Sequence, residues 1–252
     1  MRKILFVLAI GFSSQLLAQA NNNGEVYEPV PVSITGVIDG AAPSDAIVLF
    51  DGTNLNAWHT ANEEEPARWD IAAGAMTVTQ GAGTLKTKQL FGDIQLHVEW
   101  RPTDVVQGDG QGRGNSGVFL RSLYEVQILD SWNNPTYVNG QAGSVYKQHV
   151  PLVNASKPPG EWQSYDIVFT APIFSARGAL ESPAYITVIQ NGVLVLNHVE
   201  ILGSTYTPAP EYAVRCAPYS QRRVQDCSGK MPITIQDHGQ IVSYRNIWVR
   251  EL

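Results

Sequence analysis

The stretch Ile94-Gln95-Leu96-His97-Val98-Glu99-Trp100-Arg101 decides the fold class: its even positions are apolar, while Gln95, His97, Glu99 and Arg101 share the opposite face. Successive side chains leave a strand on opposite sides, so alternation of period two marks an antiparallel strand with one dry and one wet face. Val118 to Asp130 repeats the arrangement. Val118 and Leu120 point one way and Phe119 and Arg121 the other; farther on, Glu125 and Gln127 face away from Val126 and Ile128. Ile186–Gln190 and Val193–Asn197 flank Asn191-Gly192, the strongest short hairpin signal. Pro232–His238 and Tyr244–Val249 read as two further strands, and no segment sustains a 3.6-residue period. Regularly spaced strands without helical spacers predict an all-β protein, two antiparallel sheets packed as a jelly-roll sandwich.

Composition agrees. The chain of 252 residues is 44% hydrophobic and 16% charged, with 22 Gly and 15 Pro as turn-formers, which excludes a disordered tail and a coiled coil. After the first twenty residues no apolar run is long enough to span a bilayer as a helix. Those twenty residues read separately. Arg2 and Lys3 precede an apolar run from Ile4 to Phe12, and Ala18-Gln19-Ala20 offers the small residues a signal peptidase recognises. We therefore expect a signal peptide over 1–20 cleaved near Ala20, a tether over 21–45 with three prolines, and one sandwich domain over 46–252. The expected location is the periplasm or the extracellular space. No Cys follows the apolar run to carry a lipid anchor. Cleavage leaves 15 Lys and Arg against 23 Asp and Glu, a net charge of −8, which argues against a nucleic-acid partner.

Cys216 and Cys227 stand eleven residues apart in a segment rich in Pro, Ser, Gln and Arg. In an oxidising compartment a disulfide is expected between them, contributing about 3 kcal/mol by restraining its own loop. Metal binding by this pair is the weaker reading, because no CxxC spacing or adjacent His accompanies it.

The polar strand faces are unusual for a merely wet surface. They carry His97, Glu99, Arg101, Arg121, Glu125, Gln127, Gln236 and His238, side chains suited to binding and turning over sugars, and a curved sheet would gather them in a groove. Six Trp and ten Tyr add surfaces for pyranose stacking, although Trp100 and Trp248 are assigned to the core or its rim.

Several motifs carry a family resemblance. Leu49-Phe50-Asp51-Gly52-Thr53 with Trp58, Gly114-Asn115-Ser116-Gly117-Val118-Phe119-Leu120-Arg121, Tyr124 to Asp130, Pro159-Gly160-Glu161-Trp162, Asn191-Gly192-Val193, and Gln236-Asp237-His238-Gly239 with Arg245-Asn246-Ile247-Trp248 resemble the 3-keto-disaccharide hydrolase family from about Ile47 to Leu252. The resemblance implies a concanavalin A-like jelly roll acting on carbohydrate. The insertion holding Cys216 and Cys227 departs from the family pattern.

The implied chemistry starts from a ketone at C3, which acidifies the C2 hydrogen so that a base can remove it and the enediolate can expel the C1 oxygen, with water adding back afterwards. Such a site needs a base, donors for the enediolate oxygen and a proton source. On this reading Glu125 is the base or a metal ligand, Glu99 its partner on another strand, and His238 an acid, base or ligand; a structural ion pair to Arg121 is the alternative for Glu125. Arg121, Gln127, Lys147, Trp162 and Gln236 would hold hydroxyls or the enediolate. Glu125, Glu99 and His238 could also form the shell of a divalent cation, although no ligand spacing identifies one. Two other classes stay open. One is a glycosidase using Glu99 and Glu125 as its two carboxylates, which Gln127 disfavours by occupying the slot of a second acid. The other is a noncatalytic carbohydrate-binding module.

Overall fold

The computed structural model describes residues 24–61, 65–175, 179–205, 210–212 and 230–252. The expected signal-peptide stretch, Cys216 and Cys227 lie outside the described residues. Residues 24–34 belong to a first unit and contain no strand or helix. Residues 35–252 form the second unit, and the rest of the description concerns it.

Fifteen strands are found among the described residues: β1 (Ile47–Phe50), β2 (Trp58–Thr60), β3 (Asp70–Ala72), β4 (Ala75–Thr77), β5 (Leu85–Thr87), β6 (Ile94–Pro102), β7 (Ser116–Leu120), β8 (Tyr124–Ile128), β9 (Gln163–Thr170), β10 (Ile173–Phe174), β11 (Leu180–Ser182), β12 (Tyr185–Gln190), β13 (Val193–Glu200), β14 (Thr234–Ile235) and β15 (Val242–Glu251). The larger antiparallel sheet has the order β13-β12-β9-β6-β15-β4-β3, with β1 added along β15. The smaller has the order β2-β5-β14-β7-β8. β10 and β11 form a separate ribbon. Among the described residues no helix is long and apolar enough to cross a membrane.

The two sheets meet face to face over one apolar core, as the alternation predicts. β6 is buried at Ile94, Leu96, Val98, Trp100 and Pro102 and partly exposed between them. The small sheet answers with Val118, Leu120, Tyr124, Val126 and Ile128 in the same cluster. Polar groups are paired where the layers touch: the Tyr165 hydroxyl on β9 donates to the Gln127 carbonyl at 2.6 Å, and the Tyr244 hydroxyl on β15 donates to Ser116 Oγ at 2.6 Å. Each fully buried large apolar side chain contributes roughly 1.5 to 3 kcal/mol, so a core of this breadth fixes the layer order. The β12–β13 hairpin turns at Asn191 (φ 53°) and Gly192 (φ 80°), the left-handed pair that a type I′ turn requires.

Two expectations are adjusted. Pro232–His238 shortens to the two residues of β14, because Ser116 Oγ takes the Gln236 carbonyl and Asp237 turns to accept from the Gly83 and Gly239 amides. Within the expected tether, residues 35–45 are tied to the sandwich: Asn246 donates to the Gly40 carbonyl at 2.9 Å, and Arg250 pairs with Asp45 at 2.7 Å.

Candidate active site

β8 lies at the edge of the small sheet, with Tyr124, Val126 and Ile128 in the core. By alternation Glu125 and Gln127 stand on the sheet's outer face, opposite Phe119 and Gly117 of β7. Gly117 makes room for the acid. A Cβ there would fall well inside contact distance of Glu125 Oε1 and 2.9 Å from Phe119 Cε2, so the carboxyl lies across the glycine. Glu125 is 3% exposed, and among the described residues its carboxyl has no hydrogen-bond or ion-pair partner. Burial raises its pKa to about 8, because a carboxylate there would surrender its hydration without compensation.

The segment 144–146 runs along the open edge of β8. Gln127 N donates to the Ser144 carbonyl at 3.0 Å and Tyr146 N to the Glu125 carbonyl at 3.1 Å, with Val126 bridged to Val145. Val145 enters the core beside Val126, which turns Tyr146 onto the face of Glu125. The Tyr146 hydroxyl meets that of Tyr137 at 2.6 Å, and the Lys147 ammonium stands 5.3 and 5.8 Å from their ring centroids. The Tyr137 pKa is raised by partial burial, then by the bond to Tyr146, and further by the neighbouring Glu125 charge. A cleft of about 340 Å3 opens here, lined by Tyr137, Asn139, Tyr146, Lys147, Gln148 and Thr205. Thr205 Oγ1 accepts the Glu125 amide at 3.3 Å, which ties the cleft wall to the acid's own backbone.

Across the same sheet face, the direct register places His59, Lys86, Thr234, Phe119 and Glu125 in one row. Gln236 continues the adjoining row beside Gly117, with its amide donating to the Gly117 carbonyl at 3.0 Å. A second cleft, about 710 Å3, borders Asp70, Gln80, Gln107, Arg113, Asp130 and Gln240. Its main charges, Arg113 and Asp130, are paired with each other at 2.6 Å.

Of the residues expected in one groove, Glu125, Gln127 and Gln236 stand in adjoining rows of the small sheet, and Lys147 lines the cleft whose wall is hydrogen-bonded to the Glu125 backbone. Four others lie elsewhere. Glu99 projects from the outer face of the large sheet, because Val98 and Trp100 beside it fill the core; the two acids therefore point to opposite sides of the sandwich. Burial tends to raise the Glu99 pKa, but hydrogen bonds from Asn246 at 2.9 Å and Arg245 at 2.6 Å outweigh it and hold the acid below the usual range. Trp162 lies with that network, its ring centroid 4.2 Å from the Arg245 guanidinium and 4.6 Å from that of Arg101. Arg121 does not pair with Glu125. It ends β7 in a left-handed turn (φ 55°) and bonds Tyr124; burial lowers its pKa, and Tyr124 and Tyr212 oppose the shift. His238 is exposed in the turn after β14.

The two-carboxylate arrangement with Glu99 is thus absent, and Glu125, Glu99 and His238 do not converge as a cation shell. Among the described residues no group of three or more His, Cys, Asp or Glu side chains gathers to hold a metal. The reading from sequence missed Lys86, Tyr137, Tyr146 and Gln111. For Tyr146 a signal existed in the short alternation Ser144-Val145-Tyr146 after Gly143.

Comparison with known proteins supplies an independent view. The profile of the 3-keto-disaccharide hydrolase family, described as a 3-keto-α-glucoside-1,2-lyase-like domain, matches residues 45–250. A crystal structure from Parabacteroides distasonis, described as a candidate glycosyl hydrolase, is 47% identical with a TM-score of 0.81, covering 91% of this chain and 95% of its own. Two other P. distasonis structures with the same description share the fold at 18% and 22% identity, with TM-scores of 0.58 and 0.54; each covers 82% of this chain, and 94% and 99% of its own. No functionally curated protein gives a significant match.

Proposed function

The chain belongs to the 3-keto-α-glucoside-1,2-lyase-like family, and on that premise we propose that it cleaves the C1–O bond of 3-keto glycosides by removing the C2 hydrogen, with Glu125 as the base. The observation that carries this reading is the Glu125 carboxyl, buried over Gly117 without a partner among the described residues, on a backbone hydrogen-bonded to Tyr146 and Thr205, two residues that line the cleft of about 340 Å3. A desolvated carboxylate is a stronger base than one in water, and a carboxyl perturbed by burial next to a cleft is a mark of catalysis rather than of binding alone.

The electron bookkeeping follows from the ketone. Glu125 takes the C2 proton, the C–H electron pair moves into the C2–C3 bond, and charge develops on the C3 oxygen. When the carbonyl re-forms, C1–C2 becomes a double bond and the C1 oxygen leaves with a proton. Release at this stage is a lyase outcome; addition of water across the new double bond completes a net hydrolysis. On this reading the hydroxyl pair of Tyr137 and Tyr146 supplies the leaving group's proton, and the Lys147 cation, which lines the same cleft, stabilises the developing oxyanion. General-base removal of a proton accounts for about 10² to 10⁴ of the acceleration in such sites.

We extend the proposal to the compartment: export after cleavage near Ala20, with Cys216 and Cys227 joined. The experiment for the activity compares a 3-keto glucoside with its parent glucoside. Turnover of the keto sugar alone is expected. Turnover of the parent alone would replace elimination by displacement at C1, and binding of either without turnover would leave a binding module.

A further inference from the structure

Gln127 is 1% exposed and lies two residues along β8 from Glu125 on the same face. The orientation of its amide is set by groups it does not touch. Gln111 donates Nε2 to the Gly140 carbonyl at 2.9 Å and to Thr136 Oγ1 at 3.2 Å. A backbone carbonyl only accepts, so that end of Gln111 is its NH2 group, and Gln111 Oε1 faces the other way. Asn115 is fixed by the same logic, since its Nδ2 donates to the Gln111 carbonyl at 2.8 Å and leaves Oδ1 as an acceptor. Both oxygens then meet one group, Gln127 Nε2, at 3.0 and 3.3 Å. Two acceptors require a donor, so Gln127 presents its NH2 to them. Turning the amide over would set its oxygen against both acceptors and lose both bonds.

The consequence falls on the other atom. Gln127 Oε1 is buried and has no hydrogen-bond partner among the described residues, and the network that pins the amide prevents rotation from relieving it. The sequence alone assigned Gln127 to hold a hydroxyl or the enediolate; the structure commits its donors elsewhere and leaves an acceptor.

We infer that Gln127 is a specificity-determining residue whose Oε1 accepts a hydrogen bond from the C4 or C6 hydroxyl of the same sugar whose C2 hydrogen faces Glu125. This rests on the reading of Glu125 as the base. A ketone oxygen cannot fill the role because it only accepts. Residues two apart on one strand stand about 6.5 to 7 Å apart, which lets one pyranose ring reach both side chains. The pair therefore reads two features of one ring, an acidic C–H at Glu125 and a hydroxyl at Gln127.

The test uses the mature protein with a 3-keto glucoside and its 4-deoxy and 6-deoxy counterparts. Wild type is expected to lose about 10- to 100-fold in kcat/KM on one deoxy sugar. Gln127→Met keeps the length and removes the acceptor; it is expected to fall by a similar factor on the parent and to stay within about twofold of wild type on that deoxy sugar, so that the discrimination disappears. Unchanged discrimination in Gln127→Met, or equal losses on every sugar, would overturn the inference and make Gln127 structural. Should that variant fail to fold, Gln111→Met replaces it: with the pin removed the amide can turn, and discrimination should fall at least about threefold, whereas no change overturns the inference. If wild type turns over none of the sugars, the base reading fails separately. The same ligands are then scored by calorimetric binding, where loss of the deoxy penalty in Gln127→Met supports the inference and its persistence, or the absence of any binding, overturns it.

Discussion

Replacing Glu125 by Gln changes stability in a way only a buried, unpaired carboxyl explains. The folded state holds this acid at about 8, while in the unfolded chain it titrates at its ordinary 4.5. Between those values the folded protein keeps a proton that the unfolded chain has lost, so the group's contribution to stability is fully present below pH 4.5 and is lost as pH rises through 8. The interval of 3.5 pH units, at 1.36 kcal/mol each, corresponds to about 5 kcal/mol. The substituted amide keeps the side-chain volume and does not titrate. The variant should therefore match wild type within about 1 kcal/mol at pH 4.5 and exceed it by roughly 3 to 5 kcal/mol at pH 9, about 6 to 20 °C in Tm for a chain of this size. Urea unfolding and calorimetry of wild type and variant at pH 4.5, 7 and 9 provide the assay, since subtraction cancels the other titrating groups. A stability difference flat across this range would show that the carboxyl is solvated or paired, and the site reading would lose its basis.

Other outcomes follow from the same geometry. With Glu125 as the base, kcat/KM on a 3-keto glucoside should climb about tenfold per pH unit below 8 and level above it; a profile already flat from pH 6 would assign the proton transfer to another group. Gly117→Ala places a methyl where the Glu125 carboxyl and the Phe119 ring now lie, so turnover should drop by more than about tenfold while circular dichroism stays native, the carboxyl being the flexible part that yields. Tyr137→Phe removes one hydroxyl of the pair with Tyr146 and should lower kcat more than it changes KM. Intact-mass measurement of the exported protein should show a chain shortened by about twenty residues and lacking two hydrogens for the Cys216–Cys227 bond, whereas a retained Met1 or two free thiols would contradict those assignments.

The fold was legible because an antiparallel sandwich writes its two environments into alternate residues. β6 and β8 could be read residue by residue, down to Glu125 and Gln127 leaving the core side. Alternation says inside or outside, however, and not which sheet. Glu99 and Glu125 are both outward, so both suggested one groove; only pairing of β6 with β9 and β15, and of β8 with β7, puts them on opposite faces. Lys86 escaped notice for another reason. β5 has three residues and β14 two, too short for a period to show, yet these strands complete the row that ends at Glu125. Trp162 carried the right chemistry for sugar stacking, but its ring meets two arginines from the large sheet. The glutamine network was invisible because its geometry depends on the carbonyls of Gly140 and Gln111 rather than on residue type.

The central claim is that Glu125 removes the C2 hydrogen, and it is tested most directly by following that hydrogen in deuterated solvent. With a 3-keto glucoside, wild type should exchange or lose the C2 hydrogen in every molecule cleaved, and Glu125→Gln should slow both exchange and cleavage by about 10² to 10⁴ with the fold intact. Complete retention of the C2 hydrogen in the wild-type product, or near-normal exchange in Glu125→Gln, would contradict the account.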